Sequence, residues 1–167
     1  MAMQDFERLI DGICKIRNII RTPEHSIALH LRVDGVFFTL APGAARGDVE
    51  GLIIFCDFGA PPESLRADAL RQLMEANLYL FGPEAPRFGC HPETGNVLYM
   101  SYQPLEQLTH DAVLQMLGAL AAQAQEWNES NRQASREPPP AASTHASLRT
   151  GVRSAIVRFG QQTNLPS

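Results

Sequence analysis

Between Asp5 and Ile20 the apolar positions Phe6, Leu9, Ile10, Ile13, Ile16 and Ile20 recur at spacings of three and four, with Arg8, Asp11, Lys15 and Asn18 between them. That period predicts an amphipathic helix. Thr22-Pro23 ends it, because a residue before proline is pushed out of helical geometry. The period then drops to two: from Ser26 to Arg32, Ile27, Leu29 and Leu31 alternate with Ala28, His30 and Arg32, which predicts a strand. Asp34-Gly35 suits the positive φ of a tight hairpin turn, so Val36 to Leu40 should return antiparallel.

A Gly- and Ala-rich loop is expected at residues 41–47, followed by Leu52 to Phe58, LIIFCDF, apolar on both faces and therefore a central strand. After Pro61-Pro62, Ser64 is a candidate cap for a helix to Phe81 whose stripe is Leu70, Leu73, Met74, Asn77, Leu78 and Phe81. Gly82-Pro83 stops it. Arg87 to Cys90 and Asn96 to Tyr102 flank the turn His91 to Gly95 and make a second hairpin. Thr109 caps a last helix carrying Val113, Met116, Leu117, Leu120, Ala124 and Trp127 at helical spacing. The order is helix, three strands, helix, two strands, helix: an α+β fold with a mainly antiparallel sheet.

Past Trp127 the composition changes. Residues 1–128 make one domain, 129–146 read as a flexible proline-rich linker, and 147–167 as a basic tail. In the tail Leu148, Val152, Ile156 and Phe159 keep helical spacing beside Arg149, Arg153 and Arg158, so a short amphipathic helix and a solvated tail are both open there. Charge divides at the same place. Residues 1–128 hold 9 Lys+Arg against 16 Asp+Glu, a net of −7, while residues 129–167 hold 5 against 2, a net of +3. An acidic body repels nucleic-acid phosphates, so no nucleic acid is expected as a partner.

The first 25 residues are broken by charges, and no apolar run approaches the roughly 20 residues of a membrane span, so neither a signal peptide nor membrane insertion is expected. Three widely spaced cysteines, Cys14, Cys56 and Cys90, suit reduced thiols in a cytoplasmic protein. The chain lacks a phosphate-binding glycine pattern, a Cys-x-x-Cys and a His-Glu-x-x-His. Cys90-His91 are neighbours on a strand and point to opposite faces, while His25 and His30 diverge across a strand start. Asp57 and Glu93 read as a strand-end and a turn carboxylate. Hence no catalytic residue, no metal site and no cofactor is expected, and the function must lie in surfaces.

Over Asp5 to Trp127 the chain resembles the class I type III secretion chaperones, the Tir-chaperone-like family. The resemblance rests on LMEANLYLFGP at residues 73–83, the turn from Gly89 to Gly95, the strand Val97 to Tyr102 followed by Pro104-Leu105, and a final helix closing at Trp127. It implies a homodimer without enzymatic activity. Such a protein binds the amino-terminal segment of a type III secreted effector, keeps it export-competent and delivers it to an export apparatus component. A regulatory or sensory binding protein on the same fold is the alternative. A basic tail departs from the family pattern.

Two surfaces follow. Strand Leu52 to Phe58 and the neighbouring Phe37-Phe38 need cover on both faces; the helices supply one cover, and the protomer itself, the dimer or an effector segment supplies the other. Val36, Phe38, Ile53 and Phe55 are the candidate effector-binding residues. The second helix has a broader apolar stripe than one side of a small sheet requires, and Leu70, Leu73, Met74, Asn77 and Leu78 are the candidate dimer interface.

Overall fold

The computed structural model describes residues 2–45, 48–80, 82 and 85–136. The expected tail at 147–167 and the linker beyond residue 136 lie outside these. Helix α1 (Ala2–Arg17) starts three residues before Asp5 and stops short of Ile20. Its stop is Asn18, at φ 53°, where the N–H of Ile19 reaches back to Cys14 O at 2.8 Å. A left-handed residue closing a helix this way acts before Thr22-Pro23 is reached. Residues Pro23–Ser26 then form a 3-10 turn, so strand β1 is Leu29–Val33 rather than beginning at Ser26.

Asp34 and Gly35, at φ 49° and 81°, turn the chain into β2 (Val36–Ala45), with Val33 opposite Val36. The expected loop at 41–47 is instead mostly strand, for β2 runs on to Ala45 and β3 spans Asp48–Gly59. Pro42 is tolerated because β1 has ended: its last pair is Leu29 with Leu40, so no strand on that side asks for the missing N–H. Gly43 faces Gly51, and the Tyr102 ring lies close against both; a Cβ at Gly51 would overlap that ring.

A 3-10 turn at Glu63–Leu65 takes up Ser64, and α2 (Arg66–Tyr79) begins without a side-chain cap. Strands β4 (Arg87–Cys90) and β5 (Val97–Pro104) complete a five-stranded, wholly antiparallel sheet in the order β1-β2-β3-β5-β4. Helix α3 (His110–Arg136) is capped by Thr109, whose hydroxyl accepts from Ala112 N at 3.2 Å. It runs through residues 129–136, where a linker was expected. An anchored helix extends at little cost per residue, and here the Glu129–Arg132 pair and the Gln133–Glu129 hydrogen bond line its surface.

Helices α1 and α3 pack side by side on one sheet face. Phe6, Ile10, Ile13, Val113, Leu117 and Ala124 meet Leu29, Leu31, Phe38, Leu40, Leu52, Ile54 and Val97 in one core. At the end of β3, Phe58 is ringed by Phe88, Tyr99 and Trp127 at centroid distances of 5.9, 6.2 and 6.0 Å. Helix α2 packs on β4 at the sheet margin and adds Leu73 and Ala76 to the core.

Candidate functional site

Strict alternation along the central strands decides what the second sheet face carries. In β3, Leu52, Ile54, Cys56 and Phe58 are buried under the helices, so Ile53, Phe55 and Asp57 point the other way. Cross-strand register carries this outward: Phe55 lies opposite Thr39 and Met100, Ile53 opposite Ala41 and Tyr102, and Asp57 opposite Leu98. Phe37 joins them from β2, 42% exposed. Among the described residues no helix crosses this face.

Val36 and Phe38 do not belong to it. Phe38 pairs with Cys56 on the core side, and both Val36 and Phe38 are buried there, so they are corrected out of the surface. Ile53 and Phe55 stay on it. Phe37, Leu98 and Met100 complete it; the parity of Leu29 and Leu31, carried through the Asp34-Gly35 hairpin that sets Leu31 opposite Phe38, is the signal that puts Phe38 in the core and Phe37 on the open face.

Toward the Asp34 end the face deepens into a concavity of about 350 Å³. Its floor is Phe37, Thr39, Phe55 and Leu98; its wall is the β4–β5 turn with His91, Thr94 and Asn96. That turn is self-supporting. His91 Nδ1 accepts from the N–H groups of Glu93 and Thr94 at 3.3 Å, and His91 N donates to Asn96 O at 2.8 Å. Asn96 Nδ2 then donates to both oxygens of Asp57, at 3.0 and 2.8 Å, while Gly59 N donates to Asp57 Oδ1 at 2.8 Å across a bulge in β3. His30 stacks on Phe37 at 5.8 Å and shares a 2.9 Å hydrogen bond with Thr39 Oγ1.

None of this is catalytic geometry. His91 is occupied by its own turn, Cys90 Sγ reaches only the His91 carbonyl, and no group of three His, Cys, Asp or Glu side chains meets to hold a metal among the described residues. Burial pushes the Cys56 thiol far above its ordinary value, which keeps it an inert core group. No described helix is long and apolar enough to cross a membrane.

The profile of the Tir chaperone protein (CesT) family matches residues 28–128, more than half of the chain. The chain belongs to the Tir chaperone protein (CesT) family. Among curated proteins nothing matches it. Several solved structures share its fold. The ExsC–ExsE complex superposes with a TM-score of 0.57 at 22% identity, covering 75% of this chain and 95% of that one. For the HopA1–SchA chaperone–effector complex the values are 0.52, 15%, 80% and 97%. The Yersinia pestis type III secretion chaperone SycH, in complex with a stable fragment of YscM2, gives 0.50, 19%, 71% and 96%.

The CesT-family match begins after α1, although α1 supplies Phe6, Leu9, Ile10 and Ile13 to the core. Within it, the expected interface on α2 divides. Leu73 is buried in the protomer and Leu70 packs against the core. Asn77 clamps β4 of its own chain: its Oδ1 accepts from Phe88 N at 2.8 Å and its Nδ2 donates to Phe88 O at 2.9 Å. Met74 and Leu78 alone of the five remain outside, each 74% exposed, with Tyr79 beside them at 73%.

Proposed function

We propose that this protein is a cytoplasmic, non-enzymatic chaperone. It binds the amino-terminal segment of a type III secreted effector on its uncovered sheet face, keeps that segment extended and export-competent, and passes it to the export apparatus. The observation that carries this reading is the apolar face of Phe37, Ile53, Phe55, Leu98 and Met100, which no helix covers among the described residues. Contiguous apolar surface of this kind marks an interaction site. Membership of the CesT family gives the class of partner, and the neighbouring folds were solved with bound polypeptides.

Both sheet edges are partly closed. Asn77 takes the outward N–H and C=O of Phe88 on β4, and Arg17 donates to Arg32 O on β1 at 3.0 Å. Capture therefore rests on side-chain burial across the face more than on strand addition. Covering five half-buried apolar side chains contributes on the order of 1 kcal/mol each. One face alone gives a weak complex once the cost of association is met, and a segment engaging the faces of two protomers is held more tightly. The reading thus includes a homodimer formed through Met74, Leu78 and Tyr79.

Affinity purification of the tagged chain from cells expressing a type III secretion locus should bring down a secreted protein through its first residues. Phe55→Glu puts a carboxylate in the middle of the face and should abolish capture while circular dichroism and mass stay unchanged. Undiminished capture by that variant would refute the site.

A further inference from the structure

Asp57 is a half-buried carboxylate with no compensating cation. Its hydrogen bonds come from neutral donors, the Asn96 amide and the Gly59 N–H, and no Lys, Arg or His lies within ion-pair distance among the described residues. Beside it in the concavity stand the Phe37 and Phe55 rings. A carboxylate next to aromatic faces attracts a guanidinium by full charge and by ring quadrupole together. From there the face continues apolar through Ile53 and Met100, so its complement is an extended segment mixing arginine with apolar side chains.

The chain contains such a segment. VRSAIVRF, at residues 152–159, puts Arg153, Ala155, Val157 and Phe159 on one side when extended, and Val152, Ser154, Ile156 and Arg158 on the other. Its charge is opposite to that of the body: residues 129–167 carry a net of +3 and residues 1–128 a net of −7. Helix α3 leaves the sheet at the end where the concavity lies, with Asn128 Nδ2 donating to Phe58 O at 2.7 Å and Gln125 Nε2 to Asp34 O at 2.6 Å. The 17 residues from Arg136 to Arg153 reach up to about 55 Å at roughly 3.3 Å each. That exceeds what is needed to round a body with a radius of gyration of about 14 Å.

We propose that residues 147–167 of this chain dock on its own open sheet face, with an arginine seated against Asp57, and cover the face until a partner segment displaces them. The inference rests on reading that face as a segment-binding surface, and adds a competitor that travels with it. It also covers the exposed Phe37 and half-buried Phe55 of that face before a partner arrives.

The test uses the full chain with a nitroxide at Ser154→Cys in a Cys90→Ser background, since Cys14 and Cys56 are buried. The amide signals of Thr39, Phe55 and Leu98 should lose most of their intensity while Arg8 and Lys15 on α1 keep theirs. Adding Arg153→Gln and Arg158→Gln, changes outside the folded body, should restore most of that loss. Three results would overturn the inference: no selective broadening; broadening centred on α1 or α2; or broadening that survives loss of both arginines. Broadening seen only when spin-labelled chain is mixed with isotope-enriched unlabelled chain would place the tail on a second copy, and overturns it equally. Because the readout needs no partner, it separates from the capture reading. Tail contact without capture of any secreted protein refutes that reading and leaves this inference standing; capture without tail contact does the reverse.

Discussion

Tyr99 packs its ring between Phe58 and Phe88, and burial pushes its phenol up to about 12 from an ordinary value of 10.0. Below pH 10 the phenol is neutral in folded and unfolded chains alike, and stability does not depend on it. Between 10 and about 12 the unfolded chain releases the proton and the folded one does not, so stability falls as pH rises, by about 3 kcal/mol over the whole window. Denaturant midpoints should show that decline, to which the buried Cys56 thiol adds in the same direction, and Tyr99→Phe should make it shallower; an equally steep decline in the variant would remove Tyr99 as a source. Asn77 makes a different kind of contribution, because its amide satisfies both backbone groups of Phe88. Asn77→Ala leaves them unpaired at about 1–3 kcal/mol for each buried group. Chemical denaturation should register that loss with no change in oligomeric mass, as expected of a clamp within one chain. In the sequence Asn77 is indistinguishable from an interface residue: it sits in the apolar stripe, and nothing local reveals that its partner is a strand 11 residues away. Phe38 failed for another reason, that in the Phe37-Phe38 pair parity alone decides which ring is buried.

Elements were legible where periodicity and turn chemistry agreed. The Asp34-Gly35 hairpin, the strand Arg87–Cys90 and the Thr109 cap follow from their residues. The β2–β3 arm did not, because Ala41 to Gly47 has the composition of a loop, yet small residues there serve packing: Tyr102 of β5 covers Gly43 and Gly51. A glycine kept for close approach looks, in sequence, like a glycine kept for flexibility. Gly51→Ala should therefore destabilise the sheet by displacing the ring. Tyr102→Ala should remove most of that penalty, so the double variant loses less than the sum of the singles. Strict additivity in thermal unfolding would show that the contact carries no weight. The end of helix α3 is hidden for the opposite reason. Residues 129–136 bury no apolar stripe and have the polarity of a linker, whereas a helix already anchored through Asn128 and Trp127 continues on propensity and surface pairs.

At the scale of the whole molecule, one face of the sheet is spent on two helices and its margin on a third; besides Ile16, Ile20 and Ile27 near the end of α1, the apolar side chains left outside among the described residues include those of the open sheet face and the outer side of α2. The last two have different consequences for association. The sheet face suits a transient, extended guest. The α2 surface is convex and helical, three exposed side chains within one and a half turns, a geometry that self-complements about a two-fold axis. Met74→Glu with Leu78→Glu places four carboxylates at such an axis, and Glu75 of each chain adds to the repulsion. Light scattering at micromolar concentration should report a dimer for the parent and a monomer for the double variant, with the thermal transition of the protomer retained because neither side chain contributes to its core. Capture should weaken with it, although the sheet face is untouched, since the guest loses the second of two linked sites. A parent chain of monomeric mass would exclude the α2 pairing. A monomeric variant that captures its guest undiminished would show that one open face suffices.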